Sequence, residues 1–530
     1  MALCVAAAGG LFYPAGAQSP APRVGDVGYL SQSEAWLGSE NAAGLQSLPA
    51  VRLSSLHAFL HKGNGGFVNY HESDNSVEAG AAAESYYRLN TRVAFYGNVH
   101  YGHFTGRNMG GSAWIDPGEA PFDLVEAVDT NRGTKNLERY CLSGAMSVRI
   151  GQGLSLGGRI DYRAANYAKF RDLRHVNTYS DIALSAGAVY AFGAGAEVGL
   201  SYLYRYSAEA IVFNTYGNTD RQYRSLISFG GFFGRIELYD DTGTGYTTDA
   251  NPLFNEYHGI AVQGSLRFAR RWRLFVEASG KRRGGLYGKR GAVTPVHTEH
   301  EGADYALVGV LSYRRGDAQH QLKVACRQTR LENFENVFRK ENTLGNRTEI
   351  VYYARNIVRH ASRTQAQLVY TGWFGIDHYR PTWRIEAGAN GMRATQTISQ
   401  YPYYRNQRLY RVDFFIGVDR LLEQGRNEFV FALGGVYGTG GGIPQNDGLY
   451  APPSSTQKPP RAFDGYLYHE FDYLASARVG GHAEGTYARR FHPGLRTSVS
   501  LRYACTHALH AVRTPGNLFH FVSLSVGCTF

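Results

Sequence analysis

Leu518-Phe519-His520-Phe521-Val522-Ser523-Leu524-Ser525-Val526-Gly527-Cys528-Thr529-Phe530 is the stretch that decides the fold. From Val522 onward, every second residue is apolar (Val522, Leu524, Val526, Cys528, Phe530), and Ser523, Ser525, Gly527 and Thr529 between them are small or polar. Successive side chains of a strand point to opposite faces, so this spacing makes a strand with one apolar face and one wet face. The period recurs upstream. Across Arg411 to Asp419, Val412, Phe414, Ile416 and Val418 oppose Arg411, Asp413, Gly417 and Asp419, with Phe415 the exception. Across 154 to 163, Leu154, Leu156, Ile160 and Tyr162 oppose Ser155, Gly157, Arg159, Asp161 and Arg163. Segments 182–192, 260–268, 272–281, 321–327 and 497–503 repeat the pattern.

Alternation alone fits either a soluble sandwich, with apolar faces turned inward, or a membrane barrel, with apolar faces turned outward and charges in the lumen. The connections decide between them. Tight ones at Gly151 to Gly153, Gly193 to Gly195, Ala269 to Arg271, Gly316-Asp317, Glu423 to Arg426 and Phe491 to Gly494 alternate with long ones at 106–136, 171–180, 213–256, 286–299, 333–357 and 441–462. Short turns at one end and long loops at the other are the habit of transmembrane barrels. The expectation is an all-β, transmembrane, antiparallel up-and-down β-barrel of about 18 strands (alternative 16), preceded by a short helical segment.

Composition agrees. The 530 residues carry 55 Lys and Arg against 44 Asp and Glu, with 64 glycines and 38 tyrosines. No run approaches the ~18 apolar residues of a membrane-spanning helix. Cys4, Cys141, Cys326, Cys505 and Cys528 are odd in number and contain no C-x-x-C pair, which argues against a disulfide framework or a zinc ribbon. Residues 1–17 read as a signal peptide, the apolar run Ala2 to Tyr13 leading to Ala15-Gly16-Ala17. Residues 18–50 form an N-terminal segment, either a plug or a periplasmic tail along the wall, with Tyr29, Leu30, Ala35, Trp36 and Leu37 on one helical face. Residues 51–530 form the barrel.

Several segments resemble a family of Gram-negative outer-membrane β-barrels known only as a domain of unknown function. They are Asn41-Ala42-Ala43-Gly44-Leu45, Phe104-Thr105-Gly106-Arg107-Asn108-Met109-Gly110-Gly111, Ile115-Asp116-Pro117 with Pro121-Phe122-Asp123, and Ala165-Asn166-Tyr167-Ala168-Lys169 leading to Asp172-Leu173-Arg174-His175. The resemblance implies a barrel in the cell outer membrane and no activity. Asn41 to Leu45 is also similar to the Asn-Pro-Ala-Gly-Leu segment of the long-chain fatty acid transporter family, with Ala42 in place of the proline. The aromatic terminus Phe530 resembles the signal read by the barrel insertion machinery.

No catalytic set can be placed, so an enzyme is not expected. Gly153-Leu154-Ser155-Leu156-Gly157 matches G-x-S-x-G, but it opens an alternating strand where hydrolase chemistry needs a strained elbow into a helix. Asp241-Thr242-Gly243 has no second copy to share a proton. His297, Glu299 and Glu301 share a face of an extended chain, yet a solvated rim needs no ion, so neither metal nor cofactor is expected. Arg171, Asp172, Arg174 and His175 read as a network that pins a loop. Lys281, Arg282, Arg283, Lys289 and Arg290 cluster where a strand leaves the membrane and suit lipopolysaccharide phosphate.

Lumen charges are expected at Arg159, Asp161, Arg163, Arg384, Arg411 and Asp413. The partners expected are outer-membrane lipid and lipopolysaccharide, the insertion machinery, and a lipoprotein or transporter, with no nucleic acid. Two functions stand side by side. One is a channel or transport-associated barrel for small solutes. The other is a non-conducting accessory barrel that binds surface proteins.

Overall fold

The computed structural model describes residues 25–530 except 50–51, 127–131, 194, 217–221, 240–249, 292–294, 344–346 and 493. Residues 1–17 and the Asp241-Thr242-Gly243 turn lie outside the described residues. Eighteen strands, from Arg52–Gly65 to Leu518–Thr529, form one antiparallel sheet in which each barrel strand pairs with the next. The last pairs with the first, Ser55 opposite Thr529 through Gly65 opposite Phe519. Phe530 completes the seam, its backbone exchanging two 2.8 Å hydrogen bonds with Ser54. Closure leaves no edge, which a sheet in lipid requires because hydrocarbon offers backbone N–H and C=O groups no partner.

Outside, the alternation makes an apolar band: Val522, Leu524 and Val526 are exposed on the last strand, and Phe414 and Ile416 on Tyr403–Gln424. Phe415, the exception in the pattern, faces the lumen, where its ring lies over the bare backbone of its cross-strand partner Gly388.

The long connections are shorter than the sequence reading placed them. Ala318–Thr343 and Arg347–Phe374 pair up to Thr343 opposite Arg347, so the stretch read as a loop over 333–357 is mostly hairpin. Strands likewise begin at Arg174, Asn251 and Val296 and run to Leu449, inside segments assigned to loops. The cause is physical. A strand needs only ~9–11 residues to cross the bilayer. Beyond it both faces meet water, so the apolar alternation stops while backbone pairing continues.

Two inserts occupy the lumen. One is residues 25–48, with an α-helix Val27–Ser33 and two 3-10 turns, Ala35–Gly38 and Ala42–Ser47. The other comes from long-loop connections. It holds a four-stranded sheet of Asp123–Glu126, Arg224–Ser228, Phe233–Leu238 and Arg461–Ala462, and the helix Asp464–Ala475. Trp114, Phe122, Phe229 and Phe233 of this insert pack on the luminal Tyr287 and Ile398. Leu467 of the helix packs with Tyr70, Leu226 and Phe232.

A charge on the lipid face near the midplane costs ~2–4 kcal/mol, whereas one in the lumen does not. Phe414→Arg should therefore abolish the heat-modifiable folded form on gels. Arg411→Ala, on the opposite face of the same strand, should retain it.

Candidate functional site

The N-terminal segment is held by hydrogen bonds to the barrel wall. Asn41 caps the turn that follows it by accepting from the Ala43 N–H (3.0 Å), and its amide donates to the carbonyls of Ala188 (3.0 Å) and Leu200 (3.3 Å) and to Gln263 Oε1 (3.0 Å). Trp36 Nε1 donates to Glu197 (2.6 Å), and Arg273 ties Glu34 and Glu197 together at 3.0 and 3.2 Å. Close approach depends on bare backbone. A Cβ on Gly157 would lie 2.2 Å from the Ala43 nitrogen, and one on Gly187 2.3 Å from Asn41 Oδ1. Gly157, the last glycine of the hydrolase-like motif, is thus a seat for the insert. The serine, Ser155, lies buried in a regular strand.

Outside its small sheet and helix, the second insert is irregular backbone inside a closed wall, and wall side chains supply hydrogen bonds to it. Lys135 donates to the Ser112 carbonyl (2.8 Å), Asn177 to Ala113 (2.9 Å), Arg283 to Glu119 (3.0 Å), and Asn333 and Arg359 both to Pro121 (2.6 and 3.0 Å). Arg405, only 1% exposed, donates to the Gly231 carbonyl (2.8 Å) and pairs with Asp447 (2.7 Å) and with Asp464 at the start of the helix (3.2 Å).

Between this insert and the wall lies a cavity of about 210 Å³. Arg283, Arg327, Arg359 and Arg363 line it from the barrel, and Glu119, Asp123 and Glu470 from the insert. Pairing is loose: across the cavity Arg363 stands 4.0 Å from Glu119, and along the wall Arg327 stands 3.5 Å from Asp304 of the next strand. Asp123 accepts from the Tyr70 hydroxyl (2.8 Å) and from Ser112. Burial, and then the negative charge of Asp123, push the Glu470 carboxyl up to about 7. Burial raises Asp123 as well. Sequence reasoning missed this site, although Leu467, Phe471 and Leu474 at helical spacing mark the helix that carries Glu470.

Arg159, Asp161, Arg163, Arg384, Arg411 and Asp413 lie on the strand faces opposite the exposed apolar rows. Arg159 grips Asp161 at 2.7 Å and lies over the Tyr96 ring, with Arg163 two residues beyond. Arg384 pairs with Asp419 (2.8 Å) and donates to Gln32 of the N-terminal segment (3.3 Å). Arg411 and Arg478 share Asp413 at 2.6 and 3.3 Å.

The basic cluster near 281–290 is parted by the strand's alternation. Lys281 turns inward to Glu40 (2.8 Å), and Arg283 turns inward over Tyr257. Arg282 points outward and stands 4.0 Å from Glu301, while Lys289 and Arg290 lie exposed past the strand end. His297, Glu299 and Glu301 do not converge. A register shift at Tyr287/Gly288 sets His297 between the Tyr287 and Phe338 rings, and Arg355 binds both glutamates at 2.9 and 2.8 Å. Among the described residues no group of His, Cys, Asp and Glu is placed to hold a metal. Asp172 binds Arg174 (2.9 Å) and accepts from the Tyr216 N–H (3.3 Å), pinning that loop.

Residues 42–530 match the model of a family described as a family of unknown function (DUF6850). No curated protein matches the sequence. Among solved structures, the chain is similar to the ferric preacinetobactin receptor BauA of Acinetobacter baumannii (TM-score 0.40, 7% identity, 90% of this chain and 79% of that one). It is also similar to the outer membrane transporter YddB of Escherichia coli (0.41, 7%, 90% and 81%) and to the outer membrane protein opdK of Pseudomonas aeruginosa (0.33, 10%, 90% and 98%). These likenesses are too distant to carry a function. The likeness of Asn41 to Leu45 to the fatty acid transporter segment gains no support from them.

Two outcomes follow from this geometry. Overpacking a tight contact costs ~1–3 kcal/mol, so Gly157→Leu should free residues 25–48 to protease while the barrel stays heat-modifiable. Glu470 faces Asp123, Glu119, Arg283, Arg327, Arg359 and Arg363, and its folded value exceeds the ordinary 4.5. Its protonated form therefore favours the docked insert: that contribution is full below about 4.5 and is lost as pH rises through about 7. Thermal stability should fall over that window, with Asp123 acting in the same sense, and Glu470→Gln should make the fall shallower.

Proposed function

The chain belongs to that family of unknown function, which brings no activity with it, and we propose that it is an outer-membrane barrel passing small anionic solutes through a lumen narrowed by two inserts. The observation that carries this reading is the cavity walled by Arg283, Arg327, Arg359 and Arg363, whose cations are only loosely matched, Arg363 by Glu119 across it and Arg327 by Asp304 on the neighbouring strand. An aqueous lumen lined by excess arginine concentrates anions. Eighteen strands give a barrel as wide as those that hold an aqueous channel. Assembly through the insertion machinery, which would read the strand ending in Phe530, is part of the same reading, and the catalytic classes weighed above have no place in it.

A second reading is favoured by the inserts themselves. Their many wall-to-backbone hydrogen bonds suit a sealed, accessory barrel that docks a lipoprotein or a transporter on its long loops. Conductance separates the two. Full-length protein in a planar bilayer should pass current with anion preference, and Gly157→Leu should raise that current. Arg327→Glu with Arg363→Glu should shift the reversal potential toward cations, most at low salt where the Debye length is longest. Silence from both the native protein and Gly157→Leu would leave the accessory reading standing.

A further inference from the structure

On the outward face of four neighbouring strands, the apolar rows give way in register to polar ones. Leu322, Val324 and Cys326 of Ala318–Thr343 are followed on the same face by Gln328, Arg330 and Glu332. Tyr370 and Leu368 of Arg347–Phe374 are followed by Thr364, Ser362 and His360. Arg393 and Thr395 succeed Ile385, Ala387 and Ala389 on Trp383–Gln400, and Arg408 and Asn406 succeed Ile416, Phe414 and Val412 on Tyr403–Gln424. The ladder aligns these changes, with Arg330 opposite Ser362, Ser362 opposite Thr395, and Thr395 opposite Arg408. Because Ser362 and Thr395 are short, the wall dips between the longer side chains, leaving a cleft of about 690 Å³ that reaches into the wall as far as Leu331, Gln396 and Gln407 of the other face.

Three arginines, Arg330, Arg393 and Arg408, surround this dip. Among the described residues no ion pair or hydrogen bond engages them, and all three are exposed. The single acid in the cleft, Glu332, is paired with His360 at 3.1 Å. Two other arginines of the outer face do have partners: Arg355 holds Glu299 and Glu301, and Arg420 lies over the Trp383 ring. From Arg330 to Arg408 is three strand spacings of ~4.8 Å, a span that long side chains can close over one anionic headgroup. The cleft lies toward the long-loop ends of these strands, and directly below it Val324, Leu368, Val412 and Phe414 offer a surface for acyl chains.

We propose that this cleft binds the phosphorylated headgroup of a lipid in the adjoining leaflet, with Arg330, Arg393 and Arg408 gripping phosphate oxygens and the apolar rows below accommodating the chains. Guanidinium forks pair with phosphate bidentately, and unpaired arginines at the membrane boundary have no better anion than the headgroups around them. A free phosphate would use the same arginines but not the apolar rows, which is why a lipid is the occupant assigned. Strand alternation sets Arg330, Arg393 and Arg408 on the face opposite the luminal Arg327, Arg359 and Arg363, although Ser362, Thr395 and Arg408 also border the lumen cavity through the wall.

The test uses the full-length barrel in nanodiscs. Binding of a bis-phosphorylated glycolipid is compared with that of its dephosphorylated form, and inorganic phosphate is added as competitor. The native protein should retain the phosphorylated lipid, release it as salt rises, and ignore the dephosphorylated form. Arg330→Gln, Arg393→Gln and Arg408→Gln together should weaken binding at least ~10-fold, since three charge-assisted contacts are lost. If that variant loses heat-modifiable folding, Arg393→Gln alone should still weaken binding measurably. Equal binding by folded variant and native protein would overturn the proposal. So would equal retention of the dephosphorylated lipid, or displacement by inorganic phosphate at matched phosphate concentration.

Discussion

Everything inside this barrel answers to one requirement: a backbone that is not in the sheet still needs hydrogen-bond partners, and the lumen wall must supply them. A strand in the wall satisfies itself through its neighbours. The inserts cannot, because their turns and 3-10 segments leave carbonyls and N–H groups open. Long polar side chains rooted on the luminal face reach across to them. Lys135, Asn177, Arg283, Asn333, Arg359 and Arg405 each end on an insert carbonyl, and Asn41 does the reverse, reaching from the insert to wall carbonyls. The inward charges therefore have a structural duty before any question of selectivity arises.

That duty divides the arginines into two groups. Arg405 is wholly enclosed and matched by Asp447 and Asp464, and Arg159, Arg384 and Arg411 each hold a carboxylate within 3 Å. An enclosed cation without a partner would be costly, so these pairs, together with the carbonyl contacts of buried Lys135 and Arg283, are what permits a basic lumen to fold. Arg327 and Arg363 are held at 3.5 and 4.0 Å and remain about half-exposed. Water in the cavity screens them and keeps their charge tolerable. The cavity is thus where the lumen departs from self-neutralisation, and on the proposed channel reading it is the part that would act on a passing ion.

The barrel was legible in the sequence because lipid on one side and water on the other impose a period of two, as in Val522 to Phe530 and Val412 to Val418. Where that contrast ends, the signal ends with it: the hairpin over Ala318–Thr343 and Arg347–Phe374 continues as strand through residues whose two faces are equally polar. Alternation also put Arg159, Asp161, Arg384, Arg411 and Asp413 on one face, but it says nothing about which charges meet. The cavity joins Arg283, Arg359 and Glu470, far apart in the chain and adjacent only because the sheet closes and a loop folds inward. The basic run from Lys281 to Arg290 shows the converse error. Charges adjacent in sequence alternate in space, so a cluster in the chain is two half-clusters on opposite sides of a wall.

The same geometry explains why glycine matters here beyond turns. A barrel of fixed strand number has a fixed bore, and an insert can approach the wall only where the wall is thin. Gly157 and Gly187 are such places, and the space they leave is filled by the backbone of Ala43 and the amide of Asn41. Those two contacts hold one small segment, 41–43, against strands near the tight-turn end, while the second insert is fastened from the long-loop side by Lys135, Asn177 and Arg405. Two inserts secured at opposite ends by independent sets of bonds can be released independently.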